Sequence, residues 1–191
     1  HIVIGAKDVA NGENRVTVEF TANDQSLNRR DEFLYTLLVP DRARTLFPCF
    51  DQPDMKSLFT LSLEVPSSWQ AVANGAIEQV DSTSVTGRRR VYFRETEPLS
   101  TYLFSFVAGK LTRETYSRDG RDISIYHRET DPKKVAQCPD IASEVFDALE
   151  WQEEYTRYCK EHGLMVGNES AAEFVHYKDE QLEAAMESGD A

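Results

Sequence analysis

Residues 44–75 read RTLFPCFDQPDMKSLFTLSLEVPSSWQAVANG, a stiff corner that runs into a strand. In Phe47-Pro48-Cys49-Phe50-Asp51-Gln52-Pro53, two prolines fix the backbone, Asp51 can accept N–H bonds in a turn, and two aromatics offer anchors for apolar surface. Such a loop is either a structural corner or a ligand-facing loop. Because the prolines lower the entropy cost of ordering it, the loop is expected to be mostly buried, with Phe47 and Phe50 both packed inward. Beyond it Phe59, Leu61, Leu63 and Val65 alternate with Leu58, Thr60, Ser62 and Glu64, the period of a pleated sheet.

The same period extends to both sides. Val16, Val18 and Phe20 alternate with polar neighbours, as do Tyr102, Phe104 and Phe106 with Leu103, Ser105 and Val107. Shorter candidates are Ile2–Ile4, Phe33–Val39, Gln70–Ala73, Val91–Arg94 and Ile123–Tyr126, punctuated by Asn11-Gly12, Asn74-Gly75 and Asp119-Gly120. After residue 130 the period becomes helical. Pro139 suits a first helical turn, Ile141, Val145, Ala148, Leu149, Tyr155 and Cys159 form a stripe, and Gly163 can end the helix, predicting a helix over 140–161. Ser170 with Glu173 reads as a capping box for a second helix over 171–187. The expected fold is mainly β, built of antiparallel sheets, followed by a helical segment: α+β overall.

Forty per cent apolar side chains can fill a core, and no apolar run approaches a membrane span. The formal charge of -12 argues against a nucleic-acid partner. Its distribution is uneven: residues 1–130 hold 18 acidic and 16 basic side chains, residues 131–191 hold 15 and 5. The acidic part reads as a solvated helical face or as a cation-attracting surface. Cys49, Cys138 and Cys159 show no C-x-x-C pair, which suits reduced thiols and favours a cytoplasmic compartment. With no Met at its start, the chain reads as a piece of a longer protein.

Phe47 to Pro53 with Lys56, Val65-Pro66 and Val72-Ala73-Asn74-Gly75 resembles the F-P-C-[FW]-D-[EQ]-P-x-x-K, Val-Pro and V-x-N-G elements of the aminopeptidase N family of zinc metallopeptidases. Tyr102 to Gly109 is similar to the Y-L-[FL]-A-F-x-[AV]-G strand of the same family. The resemblance implies a saddle-like β domain, here residues 1–122 and truncated at its N-terminal side. Residues 123–191 would then be the incomplete start of a thermolysin-like catalytic domain, or a helical tail. Phe47, Pro48, Cys49, Phe50, Asp51, Pro53 and Lys56 form the structural motif.

The family's zinc is held by H-E-x-x-H and a distal Glu, and none of the four histidines here stands in that motif. Zinc is therefore expected in the parent protein and not in this chain, which alone is expected to be inactive. Its partners would be the remaining catalytic domain and, through it, a peptide substrate. Glu173 and His176 share a helix face but make no site by themselves.

Ala184-Ala185-Met186-Glu187-Ser188 is similar to the family's G-[AGS]-M-E-[NH], whose Glu pairs the substrate's α-ammonium, so Met186 and Glu187 are the candidate substrate-binding residues. The leading Gly and final Asn are absent, and the competing reading is a Met on a helix stripe. A Gln or Glu expected about ten residues before F-P-C is also missing, Asp41 being the nearest carboxylate. The function so implied is the non-catalytic wall of an aminopeptidase cleft; an inactive aminopeptidase-like interaction module is the alternative. A third reading, a carbohydrate- or protein-binding β-sandwich, would need Trp69, Tyr92 and Phe93 as an exposed platform.

Overall fold

A computed structural model describes residues 2–82 and 86–188; the side chains of Ala185, Glu187 and Ser188 lie outside the described set. The chain forms two compact units, His1–Leu111 and Thr112–Ala191. The first contains β1 (Leu27–Arg29), β2 (Phe33–Thr36), β3 (Lys56–Ser57), β4 (Ser62–Pro66), β5 (Gln70–Ala73), β6 (Ile77–Asp81), β7 (Arg88–Phe93), β8 (Leu99–Ser100) and β9 (Phe106–Gly109). The second contains β10 (Thr112–Arg118), β11 (Arg121–His127), α1 (Pro132–Val135), α2 (Cys138–Glu161) and α3 (Asn168–Ser188). Antiparallel sheets followed by helices bear out the expected α+β class.

In the first unit the strands pair in the orders β1-β2-β9-β5, β4-β7-β6 and β3-β8. Val91 and Phe93 of β7, with Val65, Ala71 and Ala108, make one buried cluster. Burying each such Val or Phe contributes roughly 1.5–3 kcal/mol. Phe93 is in this core and Trp69 packs against it, so the exposed aromatic platform of the third reading does not form. Leu27, Leu38, Ala43, Leu46 and Phe104 make a second cluster.

Asn74-Gly75 proves to be a crossing between sheets and not a hairpin turn. Asn74 Oδ1 accepts from Ser105 N at 2.7 Å, its Nδ2 donates to Leu103 O, and a Cβ on Gly75 would stand 2.1 Å from the Arg94 carbonyl.

Three sequence expectations fail here. Ile2–Ile4 and residues 15–20 carry no strand, and Val16 and Phe20 are exposed. Period two marks a face, but a strand also needs a neighbour to complete its ladder, and none of the described strands lies against these segments. The stretch from Tyr102 to Val107 is not one strand either: residues 101–103 form a 3-10 turn that drops Phe104 into the core before β9 begins. The third concerns Phe50, described below.

In the second unit, Asp119 (φ 51°) and Gly120 (φ 77°) make the tight turn of the β10–β11 hairpin, as their sequence signalled. Inward positions of β10 are Glu114, Tyr116 and Arg118, a polar set that hides the strand from a search for apolar alternation. α2 lies on this hairpin, burying Cys138, Ala142 and Phe146, with the Arg118 guanidinium 4.9 Å from the centre of the Phe146 ring. Ile141, Val145 and Leu149, expected as part of the buried stripe, are exposed instead, because the face one residue away carries the Phe and the close-packing Ala.

Gly163 (φ 68°) ends α2 as expected. Ser170 does not cap the next helix from outside; α3 starts two residues earlier, and the buried Ser170 hydroxyl bonds Tyr155 Oη at 2.7 Å. Tyr155 Oη also accepts from Gly167 N, fastening α2 to the start of α3. Among the described residues no helix is long and apolar enough to cross a membrane.

Candidate functional site

The corner loop is held from its polar side. Asp51, 5% exposed at its side chain, accepts from Arg44 N at 3.0 Å and from Arg44 Nη1 at 3.3 Å through Oδ2, and from Thr101 Oγ1 at 2.8 Å through Oδ1. A carboxylate taken out of water needs such a set of donors, and here they come from both ends of the unit's core segment. Ser100 Oγ donates to the Pro53 carbonyl, and Lys56 in β3 pairs with Ser100 in β8. Phe47 meets Phe59 and Phe104 edge-on, at 6.1 and 5.5 Å between ring centres. Burial, and after it the Asp51 charge, push the Cys49 thiol up to about 11.

Phe50 is the departure. It is 77% exposed, and Pro48, Gln52 and Pro53 are exposed as well, so the loop is ordered by hydrogen bonds while much of its surface faces out. Beside it lies an apolar groove of about 550 Å³ lined by Phe20, Leu46, Phe47, Phe50, Met55 and Phe59 among others. Among the described residues no titratable side chain other than Cys49 lines this groove, so the surface they form suits apolar contact.

Asp41 is engaged by Arg44 Nη1 at 3.1 Å. Met186 sits in the last turn of α3 and is 63% exposed; the Glu187 side chain lies outside the described residues. His176 reaches Glu180 at 3.3 Å on the open face of α3.

A cluster that sequence spacing does not announce lies in the second unit. Ligand-type atoms of Glu114, His127 and Cys138 are all within 4.8 Å of one another. The hairpin register explains the encounter: Glu114 stands opposite Ile125, so His127, two residues on, shares its face, and Cys138 opens the helix that covers that face. Spacings of 13 and 11 residues match no metal motif; only the register of the Asp119-Gly120 hairpin would have revealed the pair. Tyr116 donates to Glu114 Oε2, and that bond, followed by burial, pushes its hydroxyl up to about 12.

Residues 9–103 match the model of the Peptidase M1 N-terminal domain. Over this segment the chain belongs to that family. A probable M1 family aminopeptidase 2 from Encephalitozoon cuniculi is 40% identical over 96 residues, which is 50% of this chain and 11% of the relative. Glutamyl aminopeptidase of Sus scrofa is 31% identical over 112 residues, 58% of this chain and 12% of the relative. Aminopeptidase M1-A of Oryza sativa is 35% identical over 92 residues, 48% of this chain and 10% of the relative. The chain thus spans about a tenth of the length of these relatives. The M1 segment contains the Asp51-held corner, most of the groove's lining and the first-unit strands up to the 3-10 turn, but not the Glu114, His127 and Cys138 cluster.

Proposed function

We propose that this chain supplies the non-catalytic wall of the active-site cleft in a zinc-dependent aminopeptidase that removes N-terminal residues from peptides. The observation that carries the reading is the match of residues 9–103 to an M1 N-terminal domain. The catalytic zinc belongs, in this reading, to the part of the protein that holds H-E-x-x-H. The 191 residues contain no such motif, so no step of hydrolysis runs through a metal held by it here. The chain's own contribution is shape and field. The Asp51-held corner and its sheets give a rigid surface, and the net -10 of residues 131–191 favours a substrate's cationic N-terminus within a screening length of ~8–10 Å.

The test is hydrolysis of aminoacyl-nitroanilides by the full-length parent and by the 191-residue chain, each with zinc supplied. Turnover by the parent alone, abolished by a chelator and restored by zinc, supports the wall. A folded, zinc-replete parent with no turnover overturns it in favour of an inactive interaction module.

A further inference from the structure

We infer that Glu114, His127 and Cys138 form a zinc site of the second unit, in which a carboxylate, an imidazole and a thiolate close on one ion and water takes the fourth position. The site does not rest on the proposed function. Three observations carry it. The first is chemistry: one sulfur, one nitrogen and one oxygen donor make a set that suits Zn²⁺ and disfavours the hard cations Mg²⁺ and Ca²⁺.

The second is an orphaned atom. Among the described residues His127 Nε2 is buried and makes no hydrogen bond, its nearest acceptor, Glu114 Oε1, standing off at 3.5 Å. A buried polar atom left unmatched is costly in a folded chain and calls for something to satisfy it, an ion included. The third is placement. Cys138 is 6% exposed and is the first residue of the 24-residue helix α2, while Glu114 and His127 stand on adjacent strands at the open end of the hairpin. One ion would therefore fasten three elements that no disulfide joins, all three cysteines being free.

Tetrahedral zinc with bonds of ~2.0–2.3 Å sets its ligand atoms roughly 3.4–3.7 Å apart, so the present spread of up to 4.8 Å must contract by about 1 Å. Rotation of the Glu114 and Cys138 side chains supplies that movement. Binding releases the Cys138 thiol proton to water and moves the ring proton of His127 from Nε2 to Nδ1. The ring then gives up the 3.2 Å bond that Nδ1 accepts from Glu129 N, while Tyr116 keeps its bond to the outer oxygen of Glu114.

The experiment is zinc analysis of the 191-residue chain after dialysis against a mild chelator, with Co²⁺ as a spectroscopic substitute. One zinc per chain is expected, with a thiolate-to-cobalt charge-transfer band in the near ultraviolet and a higher unfolding temperature with Zn²⁺ but not with Mg²⁺. Cys138→Ser should abolish the band, and it and His127→Asn should each weaken binding by more than about a hundredfold, beyond the 10–100-fold typical of an outer-shell partner. His176→Asn, on the open face of α3, should change nothing. If Cys138→Ser fails to fold by circular dichroism, Glu114→Gln takes its place, since the amide oxygen still accepts from Tyr116. Absence of retained zinc, a cobalt spectrum without the thiolate band, or zinc lost on His176→Asn and kept on Cys138→Ser overturns the site.

Discussion

Replacing Phe104 and Phe50 by Ala, one at a time, separates the two ways in which the corner could be held. Phe104 is 7% exposed, stacks on Phe59 at 4.4 Å between ring centres with an interplanar angle of 17°, and meets Phe47 and Phe106 edge-on. Emptying such a site costs about 3–5 kcal/mol, the transfer and cavity terms together. With a urea slope of roughly 1.5–2 kcal/mol per molar, the midpoint falls by about 1.5–3 M. Phe50 is 77% exposed and its removal uncovers little, so its effect should stay within about 0.5 kcal/mol. Trp69 packs on the first unit's core, and a Trp151→Phe background makes its fluorescence report that unit alone. A Phe50→Ala midpoint as low as that of Phe104→Ala would refute the reasoning, because it would show the loop anchored by the side chain that faces out.

Two further outcomes use the same unit. Gly75→Ala places a Cβ 2.1 Å from the backbone carbonyl of Arg94, which cannot rotate away, so roughly 1–3 kcal/mol or more should be lost; an unchanged Trp69 unfolding midpoint would contradict the close approach. The Cys49 thiol, raised to about 11 against an ordinary 9.0, should react with iodoacetamide at pH 8 roughly 10- to 100-fold slower than in urea, as followed by mass spectrometry. The sign for stability follows from the same shift. The folded state favours the neutral thiol, so this contribution is fully present below pH 9 and declines as pH rises toward 11. Equal alkylation rates in the folded and unfolded chain would remove both conclusions.

How much of this was legible beforehand depends on whether a residue's role is set by its neighbours in sequence or by its neighbours in space. Gln70–Ala73 and the Asp119-Gly120 turn could be read directly, since a short strand and a hairpin turn with positive φ express local preferences. α2 could be read to within two residues at its start and to its last residue, yet its buried face could not. Two apolar stripes run along it, and the choice between Ile141 and Ala142 lies with the hairpin beneath. β10 escaped for the complementary reason: Glu114, Tyr116 and Arg118 point inward, so polarity conceals its alternation.

The corner loop shows the same division within seven residues. Two prolines and an aspartate foretold an ordered turn, and the Asp51 carboxylate does organise it. Which aromatic goes inside could not be foretold, because Phe47 and Phe50 are alike in chemistry and differ only in which side of a hydrogen-bonded turn they occupy. Asp51 settles that difference. By drawing Arg44 N to one oxygen and Thr101 Oγ1 to the other, it sets the chain direction on both sides of the loop, turning Phe47 toward Phe59 and Phe104 and leaving Phe50 at the rim of the groove. The apolar surface there is thus a consequence of a buried charge: a loop ordered by hydrogen bonds can leave an aromatic exposed, where a loop ordered by hydrophobic burial could not.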